Sequence, residues 1–231
     1  MASNYVISLD ELGKHNVNVS GGKGANLGEL IKIGISVPNG FVVTTSSFDN
    51  FIQTYNFGNR IQEIVERTNV EDTAMLLKAS QEIKEIVLSR ELPTEVTLKV
   101  TKAYGNLSDN DEAKLSSSGE RGPPIVAVRS SATTEDLPTA SFAGQHASFL
   151  NVKGEKHLIE SIRKCWASLF EPRAIFYRAK YGFSRASIAV IVQKMVNSEK
   201  SGIMFTMDPI TGENIILIEV IWGLGESIVG G

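Results

Sequence analysis

The apolar positions of this chain fall into two patterns. Uninterrupted runs at 125–128 (IVAV), 187–196 (SIAVIVQKMV) and 214–222 (NIILIEVIW) are rich in β-branched residues and bounded by turn formers or polar residues, so they read as buried strands. Shorter runs at 5–9, 41–45, 146–152 and 202–205 read the same way. Between them the spacing is helical. Leu27, Leu30 and Ile31 follow a glycine-rich stretch, and Gly34 is placed to end that helix. Phe48, Phe51, Ile52 and Tyr55 share one face, with Ser46 or Ser47 as cap. Leu76, Ile83 and Val87 form another face, and Val96, Val100, Ala103, Tyr104 and Leu107 a third, after Pro93. A helix over about 155–170 turns Leu158, Ile159, Ile162, Trp166 and Leu169 inward, and another follows Pro172. The runs at 187–196, 202–205 and 214–222 are joined by short connections, one of them the turn Asp208-Pro209-Ile210-Thr211-Gly212, which predicts an antiparallel sheet. The fold class is α+β, with a helix-rich first half and an antiparallel second half.

Segment 108–124 breaks the pattern. It is polar and serine-rich and ends in two prolines, so it reads as a loop or linker between a subdomain over 1–107 and a second over 125–231. With 231 residues, 42% hydrophobic and 21% charged, the chain has a globular composition. A chain of this length buries about 70–75% of its unfolded surface. The formal net charge of −3, with no basic stripe, argues against nucleic acid as a partner, so any phosphate site is local. No apolar run reaches the ~18 residues of a membrane span. The single cysteine, Cys165, excludes an intrachain disulfide and sits on an apolar helix face as an inert thiol. With no cationic start and apolar core at the N-terminus, a cytoplasmic protein is expected.

The chemistry concentrates where an apolar strand stops. After Val128 the next seven residues, Arg129 to Asp136 without Ala132, carry a guanidinium, four hydroxyls and two carboxylates. An arginine fork at the lip of a buried strand, followed by small residues, suits phosphate; the same residues also suit a polar loop in which Arg129 pairs with Glu135 or Asp136. Ser20-Gly21-Gly22-Lys23-Gly24 opens a helix, where free N–H groups and the positive dipole end favour anions. It departs from the P-loop pattern because Gly24 follows Lys23, and a plain turn is the alternative. Glu219 interrupts an apolar run and needs a partner there, either a metal or an ion pair. Glu226 follows the permissive Gly223-Leu224-Gly225. His15, His146 and His157 are scattered, and no zinc pattern is present.

Residues 128–145, VRSSATTEDLPTASFAGQ, resemble the signature of the N-terminal ATP-binding domain of the phosphoenolpyruvate synthase (pyruvate, water dikinase) family. The wider group holds pyruvate, phosphate dikinase and rifampicin phosphotransferase. The resemblance continues through SGGKGANLGEL (20–30), VPNGFVVTT (37–45), CWASLFEPRAIFYR (165–178), VIVQKMV (190–196), SGIMFTMDP (201–209) and WGLGES (222–227), in family order. It implies an ATP-grasp-like fold that binds ATP with Mg2+ between two subdomains.

Site residues follow from the resemblance. Lys23 and Arg129 are expected to hold the phosphates and serve catalysis. Ser130, Ser131, Thr134, Gly144 and Gln145 are expected to supply small-residue contacts. Gln193, Met195 and Val196 are expected at the adenine ring, although Gln193 also reads as the place where a core strand surfaces. Glu219 and Glu226 are the candidate metal ligands. Ala147-Ser148 departs from the acidic residue and threonine that many members carry. The family passes a phosphoryl group to a histidine on a separate carrier domain, then to pyruvate in a barrel domain. Neither is present, so the chain reads as an N-terminal fragment; the alternatives are the ATP-binding domain of a rifampicin-phosphotransferase-like enzyme or a pyruvate, phosphate dikinase, and a non-catalytic nucleotide-binding module. Arg173 and Arg178 read as surface or structural charges.

None of the three histidines lies in a glycine-rich carrier segment. The chain alone, incubated with labelled ATP and magnesium, is therefore expected to gain no acid-labile label. Stable label on His15, His146 or His157 would contradict this reading.

Overall fold

The computed structural model describes residues 4–109, 122–133, 136–137, 140–141, 147–181, 187–226 and 228. It divides into two compact units, Met1–Met195 and Val196–Gly231.

The first unit is built on strands β1 (Val6–Ser8), β2 (Gly40–Val43), β3 (Ile125–Ala132), β6 (Ser148–Lys153) and β7 (Ile188–Lys194). Two-residue strands β4 (Asp136–Leu137) and β5 (Ala140–Ser141) pair with each other. The main sheet runs in the order β1-β2-β7-β3-β6, antiparallel throughout. It joins strands from both sides of segment 108–124. Strand β7 is central because it has no polar face. Ile188, Val190 and Val192 point one way and Ala189 and Ile191 the other, all 0% exposed. A strand that is apolar on both sides needs cover on both.

One side is covered by α1 (Val17–Lys32) and the short helical turn Leu9–Glu11: Leu9, Leu12, Val42, Ala189 and Ile191 form one cluster, with Leu27 and Ile31 against it. The other side carries the larger core, built from α2 (Thr45–Thr54), α3 (Phe57–Glu66), α4 (Thr73–Leu88), α5 (Thr94–Asp109), α6 (Glu155–Ser168) and α7 (Pro172–Tyr181). Trp166 of α6 lies at its centre, fully buried, with ring centroids 5.7 Å from Phe48 and 5.1 Å from Phe51.

Local chemistry fixes the ends of these helices. Gly34 adopts φ 84°, its N–H bonds Ile31 and that of Ile35 bonds Leu30, so α1 ends in a Schellman motif as expected. Asp72 caps α4 by accepting from the Ala74 and Met75 amides at 2.9 and 3.1 Å. At the other end of α4, Arg163 donates to the Leu88 and Arg90 carbonyls at 3.2 and 2.9 Å. The expected cap of α2 differs: the helix starts at Thr45, and the Ser47 hydroxyl instead donates to the Tyr5 carbonyl at 2.7 Å.

The second unit holds a hairpin of β8 (Lys200–Phe205) and β9 (Leu217–Trp222). Here the structure corrects the sequence reading. Strand β7 does not continue a sheet with these two; it pairs with β2 and β3. The reason is cover: β7 has apolar side chains on both faces and the hairpin does not bury both of its own. Asp208 holds the connecting turn, accepting from the Ile210 and Thr211 amides at 2.7 and 2.9 Å, and those bonds hold its carboxyl below the ordinary carboxylate range.

Replacing Trp166 by Ala should cost about 3–5 kcal/mol, the range for large aromatic truncations in cores. Urea unfolding of the two proteins measures it. A loss under about 1 kcal/mol would show that the aromatic cluster is not the centre of the core.

Candidate functional site

The glycine-rich segment is a break inside α1. Val17 to Ser20 are helical, Gly21 is not (φ 68°, ψ 171°), and the helix restarts after it. That backbone region is essentially restricted to glycine. A Cβ at Gly21 would also lie 2.3 Å from both the carbonyl oxygen and the Oγ of Ser131. The helix was expected to begin at the glycines; instead one glycine lets it break and approach β3.

A restarted helix has orphan N–H groups in its first turn. The Gly24 N–H donates to Ser131 Oγ at 3.3 Å, so strand β3 supplies a cap from 107 residues away. One residue earlier, Lys23 Nζ donates to the Ser130 carbonyl at 3.3 Å. Glycine and lysine thus meet the strand at the segment singled out for its chemistry.

The register of β3 assigns the neighbouring side chains. Ala127, Arg129 and Ser131 lie opposite Gln193, Ile191 and Ala189 of β7, on the α1 side of the sheet. Val126 and Val128 face the helical core. Arg129 is exposed and sits in one row with Val42, Ile191 and Ser148. Ser130 is fully buried, with its N–H and hydroxyl both on the Ala147 carbonyl at 3.0 and 3.3 Å. Ser131 is fully buried as well. The fold therefore brings together Lys23, Arg129, Ser130 and Ser131. Thr134, Gly144 and Gln145 lie outside the described residues.

Gln193 is buried, and its side-chain amide donates to the Pro38 carbonyl at 3.1 Å. The Lys194 N–H bonds the Asn39 carbonyl and the Met195 N–H bonds the Ile125 carbonyl, each at 2.9 Å. Val196 begins the second unit and is exposed. Glu219 and Glu226 belong to the second unit, and both are exposed. The expected burial of Glu219 is corrected: β9 lies in a two-stranded hairpin, where a continuous apolar run does not imply cover on both faces. Among the described residues no group of three His, Cys, Asp or Glu is placed to hold a metal.

Two further groups are structural, Cys165 beneath β3 and Arg178 on α7. Burial pushes the Cys165 thiol well above its ordinary value, and the Lys23 charge pulls it back only slightly, as expected of an inert core thiol. Arg178 donates to the Leu169 and Ala174 carbonyls at 2.7 and 3.2 Å and stacks over Phe170; burial lowers its pKa to about 10. The sequence reading missed the specific part Gly21 plays. The signal was there, in paired glycines ahead of a lysine, but nothing local tells which glycine faces a backbone 110 residues away.

The α+β domain thus sets a lysine at a glycine break beside a strand that carries an arginine, two groups whose chemistry suits phosphate. The chain belongs to the pyruvate phosphate dikinase AMP/ATP-binding domain family, whose model matches residues 17–231. Its fold is accordingly ATP-grasp-like. It is 48% identical over 229 residues to the probable phosphoenolpyruvate synthase of Methanothermobacter thermautotrophicus, covering 98% of this chain and 32% of that protein. It is 47% identical over 228 residues to the probable phosphoenolpyruvate synthase of Archaeoglobus fulgidus, covering 98% and 29%. It is 39% identical over 266 residues to the phosphoenolpyruvate synthase of Pyrococcus furiosus, covering 100% and 32%. The chain thus spans about a third of the length of these curated relatives. No described helix is long and apolar enough to cross a membrane.

Gly21→Ala should destabilise the chain by at least the ~1–3 kcal/mol of a forced backbone outlier. Gly105→Ala, in the middle of α5 with nothing within 4 Å of the added methyl, should be neutral or stabilising. Thermal unfolding compares them, and equal midpoints would contradict the close approach at Gly21.

Proposed function

We propose that this chain is the nucleotide-binding part of a phosphoenolpyruvate synthase. The full reaction takes ATP, pyruvate and water to AMP, phosphoenolpyruvate and phosphate, by way of a phosphohistidine. In this reading Lys23 and Arg129 hold the phosphates. Ser130, Ser131, Thr134, Gly144 and Gln145 are the small-residue contacts that the family resemblance assigns to the nucleotide, and the edge at Gln193, Met195 and Val196 takes the adenine. A carrier-histidine domain and a pyruvate-binding barrel domain are the partners, and the cytoplasm is the compartment.

The observation that carries this reading is the meeting of Lys23 with the carbonyl beside Arg129. Phosphoryl transfer needs positioning and charge neutralisation more than covalent help from the protein, and two cations anchored to one strand end supply both. Magnesium supplies further neutralisation when bound. It keeps several waters and takes only one or two protein carboxylates in such sites. The exposed carboxylates of Glu219 and Glu226 fit that chemistry, and we assign the metal to them.

Arg129→Ala should weaken ATP binding by about 10- to 100-fold, given about 1.5–3 kcal/mol for a charge-assisted hydrogen bond. Titration calorimetry on the folded variant measures it, and an unchanged affinity removes Arg129 from the site. Glu219→Gln or Glu226→Gln should reduce the dependence of that affinity on magnesium while leaving metal-free binding in place. If neither variant changes the magnesium dependence, the metal assignment fails and the phosphate assignment stands on its own.

A further inference from the structure

Ser131 was expected among the residues that touch the nucleotide. Its surroundings give it another task. The residue is 0% exposed. Its hydroxyl accepts from the Gly24 N–H, and both its oxygens occupy the space a Cβ at residue 21 would need, so the glycine break and the strand are closed on each other. Lys23 lies between those two glycines, bonded to the Ser130 carbonyl next door. We propose that Ser131 is a positioning residue. It clasps the Gly21–Gly24 turn to β3 and so sets where the Lys23 ammonium stands relative to Arg129, without itself touching the ligand. This deepens the nucleotide reading and rests on it for the ligand's identity.

The geometry favours the clasp over direct contact on three counts. A fully buried hydroxyl has no surface to offer a ligand. The N–H it accepts from is an orphan donor of the restarted helix, which would otherwise need another partner. Gly21 can come so close only because it lacks a Cβ and holds a conformation reserved for glycine. A nucleotide-contacting serine needs none of these features.

The clasp predicts a specific coupling. Ser131→Ala should weaken ATP binding about 10-fold, and Lys23→Ala should weaken it at least as much. The double variant should bind no more weakly than Lys23→Ala alone, because the serine acts through the lysine. Calorimetry on the three variants gives the cycle. Losses that add would make Ser131 a ligand contact, and an unchanged affinity in Ser131→Ala would remove it from the site; either overturns the proposal. A second measurement needs no ATP, and its first arm needs no variant. In the unsubstituted chain without nucleotide, the Gly24 amide should already exchange with solvent slowly, and in a folded Ser131→Ala it should exchange faster. Exchange at the rate of an open loop in the unsubstituted chain overturns the clasp. If that chain binds no ATP at all, the nucleotide reading fails, while the Gly24 exchange still decides whether the clasp exists.

Discussion

Strand β7 sets the constraint on which the first unit depends. Ile188, Val190 and Val192 look one way and Ala189 and Ile191 the other, and water reaches none of them. Burying an aliphatic side chain is worth about 1.5–3 kcal/mol. Four such residues and an alanine, spread over two faces, cannot be satisfied by one layer of helices. The helical core covers one face, and α1 must come back to cover the other. The return of α1 is what carries the glycine-rich turn to the end of β3.

That return has a cost. A helix lying close on a sheet cannot run straight past the point where β3 surfaces. The chain resolves the conflict by breaking α1 at Gly21 and letting the helix restart. The broken end has unpaired donors and a lysine, and β3 answers with one hydroxyl and one carbonyl. A packing problem and the proposed phosphate site thus share the same few atoms. Arg129 completes the arrangement because β3 alternates: with Ala127 and Ser131 on the α1 side, the residue between them faces that side too, just beyond the cover that α1 gives.

Much of this was legible in the sequence. The unbroken run at 187–196 announced a two-sided strand, and the helical faces of Phe48 and Phe51, or of Leu158, Ile162 and Trp166, pointed to the large core that contains them. Gly34 ended its helix as its position implied. What was not legible depended on partners far along the chain. The run at 214–222 has the same apolar look as 187–196, yet it lies in a hairpin that leaves Ile218, Val220 and Trp222 exposed, and Glu219 with them. Periodicity reports how a segment would like to be buried, not whether a second layer arrives. The serines at 130 and 131 looked alike as small hydroxyl residues beside an arginine. Only the register of β3, and the arrival of α1 over it, distinguishes the one bonded to Ala147 from the one that meets Gly24.

The buried thiol of Cys165 gives the chain an internal clock. It is the one cysteine in the sequence, it lies beneath β3 at Val128, and burial keeps it protonated as well as covered. A thiol reagent reacts with thiolate and needs access, and the folded state withholds both. Its reaction rate with the native protein therefore counts openings of the core rather than encounters with the surface. At high reagent concentration the rate levels off at the opening rate itself, and at low concentration it reports the fraction of molecules open at any moment. The fold has placed a stopwatch for its own breathing directly under β3, against the Val128 and Ala147 carbonyls.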